Sequence, residues 1–152
     1  MTRALLFASA LVLLFSGAAR SADQQPGENE PVIGLTFRGA DRAYPLSVFS
    51  PRRVVNDVVG QQEVVVFHDP DRGLTAAWFR TVFGDPIEFS GQVTGTVADD
   101  LTTITRWDMT TGVAVGGNLA GQKLVPVPIR MIPLSVWRAK YPSGALFFEQ
   151  GP

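Results

Sequence analysis

Residues 63–68 read Glu-Val-Val-Val-Phe-His, and residues 54–59 just before them read Val-Val-Asn-Asp-Val-Val. Gly60-Gln61-Gln62 separates the two runs and predicts a turn, so together they form a hairpin. Val64–Phe67 is apolar at every position. Side chains alternate across a strand, so such a run needs cover on both faces and predicts a central strand. The same alternation puts His68 on the face of Val64 and Val66. The Asn56-Asp57 pair is polar inside a strand pattern, which predicts a bulge or the lining of a cleft.

Working outward, breakers recur at short intervals. From Asp23 onward the chain holds 14 Gly and 11 Pro, which disfavours long helices. The segments between are rich in strand formers. Val32–Phe37 and Arg42–Leu46 flank Gly39-Ala40-Asp41 as another hairpin. Leu74–Phe83 follows the Asp69-Pro70-Asp71-Arg72-Gly73 loop, and Ile87–Ser90 and Gln92–Thr96 are shorter pieces. Leu101–Trp107 and Gly112–Val115 flank a turn at 108–111, and Lys123–Val127 and Ala145–Glu149 complete the strands. Pro133–Tyr141 predicts the one helix, opened by Pro133, with Lys140 in its last turn and stopped by Pro142. The expected fold is mainly β: an antiparallel sheet, rolled or in two layers, barrel- or sandwich-like, with one short C-terminal helix. A single β-rich domain is expected over residues 32–150.

Ahead of it, Met1-Thr2-Arg3 is a short positive start, residues 4–15 are almost wholly apolar, and Ser16-Gly17-Ala18-Ala19 is small. This pattern predicts a secretory signal peptide over residues 1–22, cleaved after Ala18 or Ala22. The apolar run to Ala19 is shorter than the ~20 residues of a comfortable membrane span. No stable membrane anchor is therefore expected once the leader is cleaved. Asp23–Pro31 is polar and predicts a flexible linker. Export into a bacterial periplasm, or secretion, is the expected location.

The remaining 130 residues carry 11 Lys+Arg against 14 Asp+Glu, a net charge of 11 − 14 = −3. That balance excludes a dedicated nucleic-acid binder or a polybasic membrane-surface protein. The absence of cysteine excludes disulfides, thiolate metal sites and thiol nucleophiles. No serine sits in a nucleophile elbow, and Gly116-Gly117 is not followed by the Lys-Ser/Thr of a phosphate loop.

What chemistry is left centres on His68, the only imidazole, with Asp69 and Asp71 beside it. These three are the candidate ligands of a divalent metal ion; otherwise no cofactor is expected. The competing reading of His68 is a strand-end histidine bonded to the next turn, and that of Asp69–Gly73 is ordinary turn chemistry. Asn56, Asp57, His68 and Arg72 are candidate ligand-binding residues. Asp99-Asp100 predicts a solvated turn, and Arg52-Arg53 a positive spot at a rim or in solvent. Trp78, Trp107 and Trp137 are expected in the core.

These landmarks resemble a bacterial family known as domain of unknown function 3179. The likeness runs from Val32 to about Phe147. It rests on Ala43-Tyr44-Pro45, Val55-Asn56-Asp57, Pro70, Gly73, Thr75-Ala76, Ser90-Gly91, Asp108, Thr111-Gly112, Trp137 and Pro142. Relatives carry a His-Glu pair where this chain has Arg52-Arg53, and a Cys-Pro-Leu-Cys/Thr-Gly loop where it has Asp69–Gly73. Their Ser-Leu-Trp is Val113-Ala114-Val115 here. The resemblance implies a kept scaffold whose reactive groups have been replaced, and no activity comes with it.

The expected function is accordingly an exported, non-catalytic β-domain that binds a partner protein or small ligand at a sheet edge or cleft mouth. The alternatives are a metal-binding domain using His68, Asp69 and Asp71, and a hydrolase or isomerase built on paired carboxylates such as Asp57 and Asp71.

Overall fold

The computed structural model describes residues 25–148; the expected leader lies outside them. The hairpins at the start form as the sequence dictates. β1 (Pro31–Phe37) and β2 (Ala40–Pro45) pair antiparallel, as do β3 (Val54–Val59) and β4 (Gln62–Asp69). Each turns on two residues of positive φ: Arg38 (52°) with Gly39 (77°), and Gly60 (54°) with Gln61 (64°). Such links follow the twist of paired strands, which places the first turn earlier than Gly39-Ala40-Asp41. A 3₁₀ turn at Leu46–Phe49 joins the hairpins.

β5 (Leu74–Phe79) completes an antiparallel trio with β4 and β3. The single strand expected over Leu74–Phe83 breaks at Arg80, because that side chain turns inward. Its Nε donates to the Val64 carbonyl (3.1 Å) and its Nη1 to the Ile87 carbonyl (2.8 Å), and it pairs with Glu63 and Glu88. The chain continues as a small ribbon of β6 (Thr81–Val82) and β7 (Asp85–Pro86).

β8 (Phe89–Thr94), β9 (Val97–Asp100), β10 (Thr105–Asp108) and β11 (Val113–Gly117) form a meander, with β8 bulged between Phe89 and Val93. The strand expected over Leu101–Trp107 is instead the turn 101–104 followed by β10. Asp100 makes that turn and is no solvated residue. It is 2% exposed, and its carboxylate accepts from the Thr102 and Thr103 amides (3.0 and 2.5 Å) and from Trp107 Nε1 (2.8 Å).

β12 (Val125–Pro126) pairs with β5, and β13 (Arg130–Pro133) pairs with β1. The helix α1 (Leu134–Lys140) lies within its expected bounds and buries Leu134 and Trp137. β14 (Ala145–Leu146) runs parallel to β2. The polar stretch expected as a linker is attached at its end. Glu30 and Glu28 accept the amides of Leu134 and Ser135 through their carbonyls, and Glu28 pairs with Arg138. The first turn of a helix leaves amides without helical partners, and these carbonyls satisfy two of them.

The fold is mainly β: the described residues form three four-stranded sheets and a two-stranded ribbon, and among them the sheets do not close into a barrel. The sheet β12-β5-β4-β3 is central. Val65, Phe67 and Trp78 pack with Phe89, Ala98 and Trp107 of the β8–β11 sheet on one face. Val64, Val66 and Ala77 pack with Ile33, Leu35 and Tyr44 of the β1–β2 sheet on the other. Residues 64–67 are all 0% exposed, so the run is covered from both sides as its composition requires.

Candidate functional site

Because β3 and β4 lie between two other sheets, neighbouring residues in them face different layers. Asn56 and Asp57 illustrate this. Asn56 shares a face with Val54 and reaches the bulged end of β8: its Nδ2 donates to the Phe89 carbonyl (2.8 Å) and its Oδ1 accepts the Phe89 amide (3.1 Å). A carboxamide here stands in for a missing strand pairing. Asp57 faces the β1–β2 sheet. Its Oδ2 accepts from the Tyr44 hydroxyl (2.8 Å) and from Arg42 Nε (3.0 Å), and its Oδ1 accepts the Val58 amide (2.8 Å). Burial first, then the Asp57 charge, pushes the Tyr44 phenol well above its ordinary range. It stays a donor at all ordinary pH.

Asp57 and Arg42 open onto a cavity of about 260 Å³ walled by Leu146, Phe147 and Phe148. The Phe147 ring stacks on Tyr44 at 5.4 Å, and its amide donates to the Ala43 carbonyl (2.8 Å). The cavity thus joins an ion pair to an aromatic wall.

At the other end of β4, His68 and Asp69 also face opposite layers. His68 is 6% exposed, with Nδ1 2.9 Å from the Thr75 hydroxyl and its ring edge-to-face with Phe49. Burial holds its pKa below the usual 6.5, so it is neutral at pH 7. Asp69 is fully buried and accepts from Arg72 Nη1 (2.7 Å), Arg53 Nη1 (2.9 Å) and the Asp71 amide (3.1 Å). Burial alone would raise its pKa. The hydrogen bond from Arg72 and the charge of Arg53 outweigh that and hold it below the usual carboxylate range. Asp71 takes the other arm of Arg53. Arg53 and the Asp69–Gly73 loop, which belong to the two main departures from the resembled pattern, therefore meet in one ionic cluster.

The candidate residues do not gather in one place. His68, Asp69 and Asp71 form no metal centre: Asp69 and Asp71 are committed to guanidinium groups and His68 points to the other layer. Among the described residues no three metal-ligating side chains come together. Arg72 serves Asp69 rather than a cavity. Asp57 and Asp71 belong to opposite ends of the central hairpin. Asp57 is paired with Val64, and from Val64 to Asp69 the strand advances roughly 16 Å at about 3.3 Å per residue. A reaction that needs both carboxylates on one substrate has no such site here. Sequence reasoning missed Arg42, Tyr44 and Phe147. Tyr44 and Asp57 lie on strands one connection apart, but the alternation that would place them on facing layers shows only when both registers are known.

A family model described as a protein of unknown function (DUF3179) matches residues 15–151. No curated protein matches the chain.

Proposed function

The chain belongs to this family of proteins of unknown function (DUF3179), and on that premise we propose that it is an exported, non-catalytic domain. It binds a small ligand, or an extended side chain of a partner protein, at the Arg42–Asp57 cavity. One observation carries the reading: Asp57, Asp69 and His68 are each bound to a neighbour of the same chain. These three groups, the candidates for acid–base work, are thus engaged within the fold and not offered as a pair to a substrate. The cavity mouth keeps an ion pair beside exposed aromatic surface, with Phe148 52% exposed. Polar orientation next to an apolar wall is the usual make-up of a binding pocket.

The test has two arms. Residues 1–22 fused to a reporter active only outside the cytoplasm should give signal; silence removes export. Periplasmic extract passed over the immobilised protein should leave a component that the Arg42→Gln/Asp57→Asn double variant does not retain. Equal retention by both, or none by either, removes the cavity as the site.

A further inference from the structure

A second cavity lies on the β8–β11 sheet, and neither Asp57 nor Arg42 lines it. The turn 101–104 carries two anomalies. Ile104 has φ +56°, a conformation that costs a β-branched residue more than almost any other, and it is 70% exposed. Leu101, at the other end of the turn, is 61% exposed. A strained backbone persists only where its surroundings force it. Here they do: Asp100 gathers the turn amides from within, and Asn118 Nδ2 donates to the Thr103 carbonyl (2.8 Å). Gly117 (φ +93°) lies so close to the Ile104 carbonyl that a Cβ there would overlap it. A rigid support thus holds two apolar side chains out in water.

Between them lies a cavity of about 390 Å³, with Asp99 and Arg106 also in its lining. These two are directly opposed across β9 and β10. Opposite charges so placed ordinarily pair. Among the described residues neither has an ion-pair or side-chain hydrogen-bond partner. The reason is the lean of Arg106 over β11, where Gly116 offers no side chain; a Cβ at Gly116 would come within 2.6 Å of Nη2. One unpaired charge of each sign is therefore held beside an apolar clamp.

We propose that this cavity binds a free α-amino acid with an apolar side chain. Its ammonium group is received by Asp99, its carboxylate by Arg106, and its side chain by Leu101 and Ile104. A zwitterion reaching from Asp99 on β9 toward the guanidinium over β11 answers both unpaired groups at once, and the guanidinium fork suits a carboxylate.

Titration of the ¹⁵N-labelled protein with L-leucine, followed by NMR, tests this. The amides of Ile104, Arg106 and Gly117 should shift and saturate. Leucinamide lacks the carboxylate and 4-methylpentanoate the amine, and each should bind about ten-fold more weakly, the effect of losing one hydrogen bond to a charged group. Asp99→Asn and Arg106→Gln should each weaken leucine about ten-fold, as should Ile104→Asn, which tolerates the same backbone conformation. Shifts that fail to saturate, or equal binding of leucine, glycine and both truncated analogues, overturn the proposal. The Arg42–Asp57 cavity stands or falls separately, since none of these residues lines it.

Discussion

His68 and Asp69 are consecutive, yet their pKa values both set the acid limit of stability. His68 is held below 6.5 in the fold by burial, so between that lowered value and 6.5 the unfolded chain binds the proton more readily. Its contribution is present above pH 6.5 and is lost as pH falls below it. Asp69 and Asp108 are also depressed, despite burial that opposes the shift; in Asp108 the hydrogen bonds from Thr110 outweigh it. Their contribution is present above 3.8 and is lost on further acidification. Urea midpoints measured from pH 8 to pH 3 should fall in two steps, and His68→Gln should flatten the upper one alone. A single step below pH 4 in the parent protein would contradict the burial of His68. Glycine gives a second prediction. A Cβ at Gly34 would overlap the six-membered ring of Trp137, so Gly34→Ala should cost about 1–3 kcal/mol and shift the emission of the displaced indole. Side-chain type was enough to foresee the buried tryptophans and the turn at Asp69. It was not enough for Asp100, because an acidic pair before a strand reads alike whether it meets water or a buried indole N–H.

β3 shows what periodicity can and cannot reveal. Its bounds, Val54–Val59, follow directly from the valines and Gly60. The work of its two polar residues does not, since alternation assigns Asn56 and Asp57 to opposite faces without saying what covers each. The structure gives one to β8 and the other to β2. Asn56→Ala should therefore loosen one flanking sheet and leave the other in place. Loss of the two bonds to Phe89 should cost about 1–3 kcal/mol, the desolvation of its amide and carbonyl. Amide exchange should quicken at Phe89 and along β8 while Tyr44 and Ala43 keep their protection. Exchange that quickens equally in both flanking sheets would mean that Asn56 supports the central sheet as such. The strands the sequence misread share a cause: Arg80 and Asp100 both end a strand by turning a charged group inward, where pattern alone expects charge to face solvent.

Two apolar clusters with one sheet between them raise the question of whether they unfold as one. The central strand answers it, because Val65 belongs to one cluster and Val66 to the other, and neither can leave without moving the backbone they share. Burial of both is complete, so Val65→Ala and Val66→Ala should each cost about 2 kcal/mol in lost methyl burial and residual cavity. Trp107 reports one cluster; Trp137, a residue of α1, reports a third, smaller group with Val32 and Leu134. That group is joined to the Val66 cluster through β1, which carries Val32 on one face and Ile33 and Leu35 on the other. With 5-fluorotryptophan incorporated, ¹⁹F resonances follow these reporters separately during denaturation. Coupling through the central strand requires that either valine variant shift the Trp107 and Trp137 midpoints together and equally. If Val65→Ala moved Trp107 alone, the two faces would be independent layers. The strand would then be a partition between them, not the element through which they fold together.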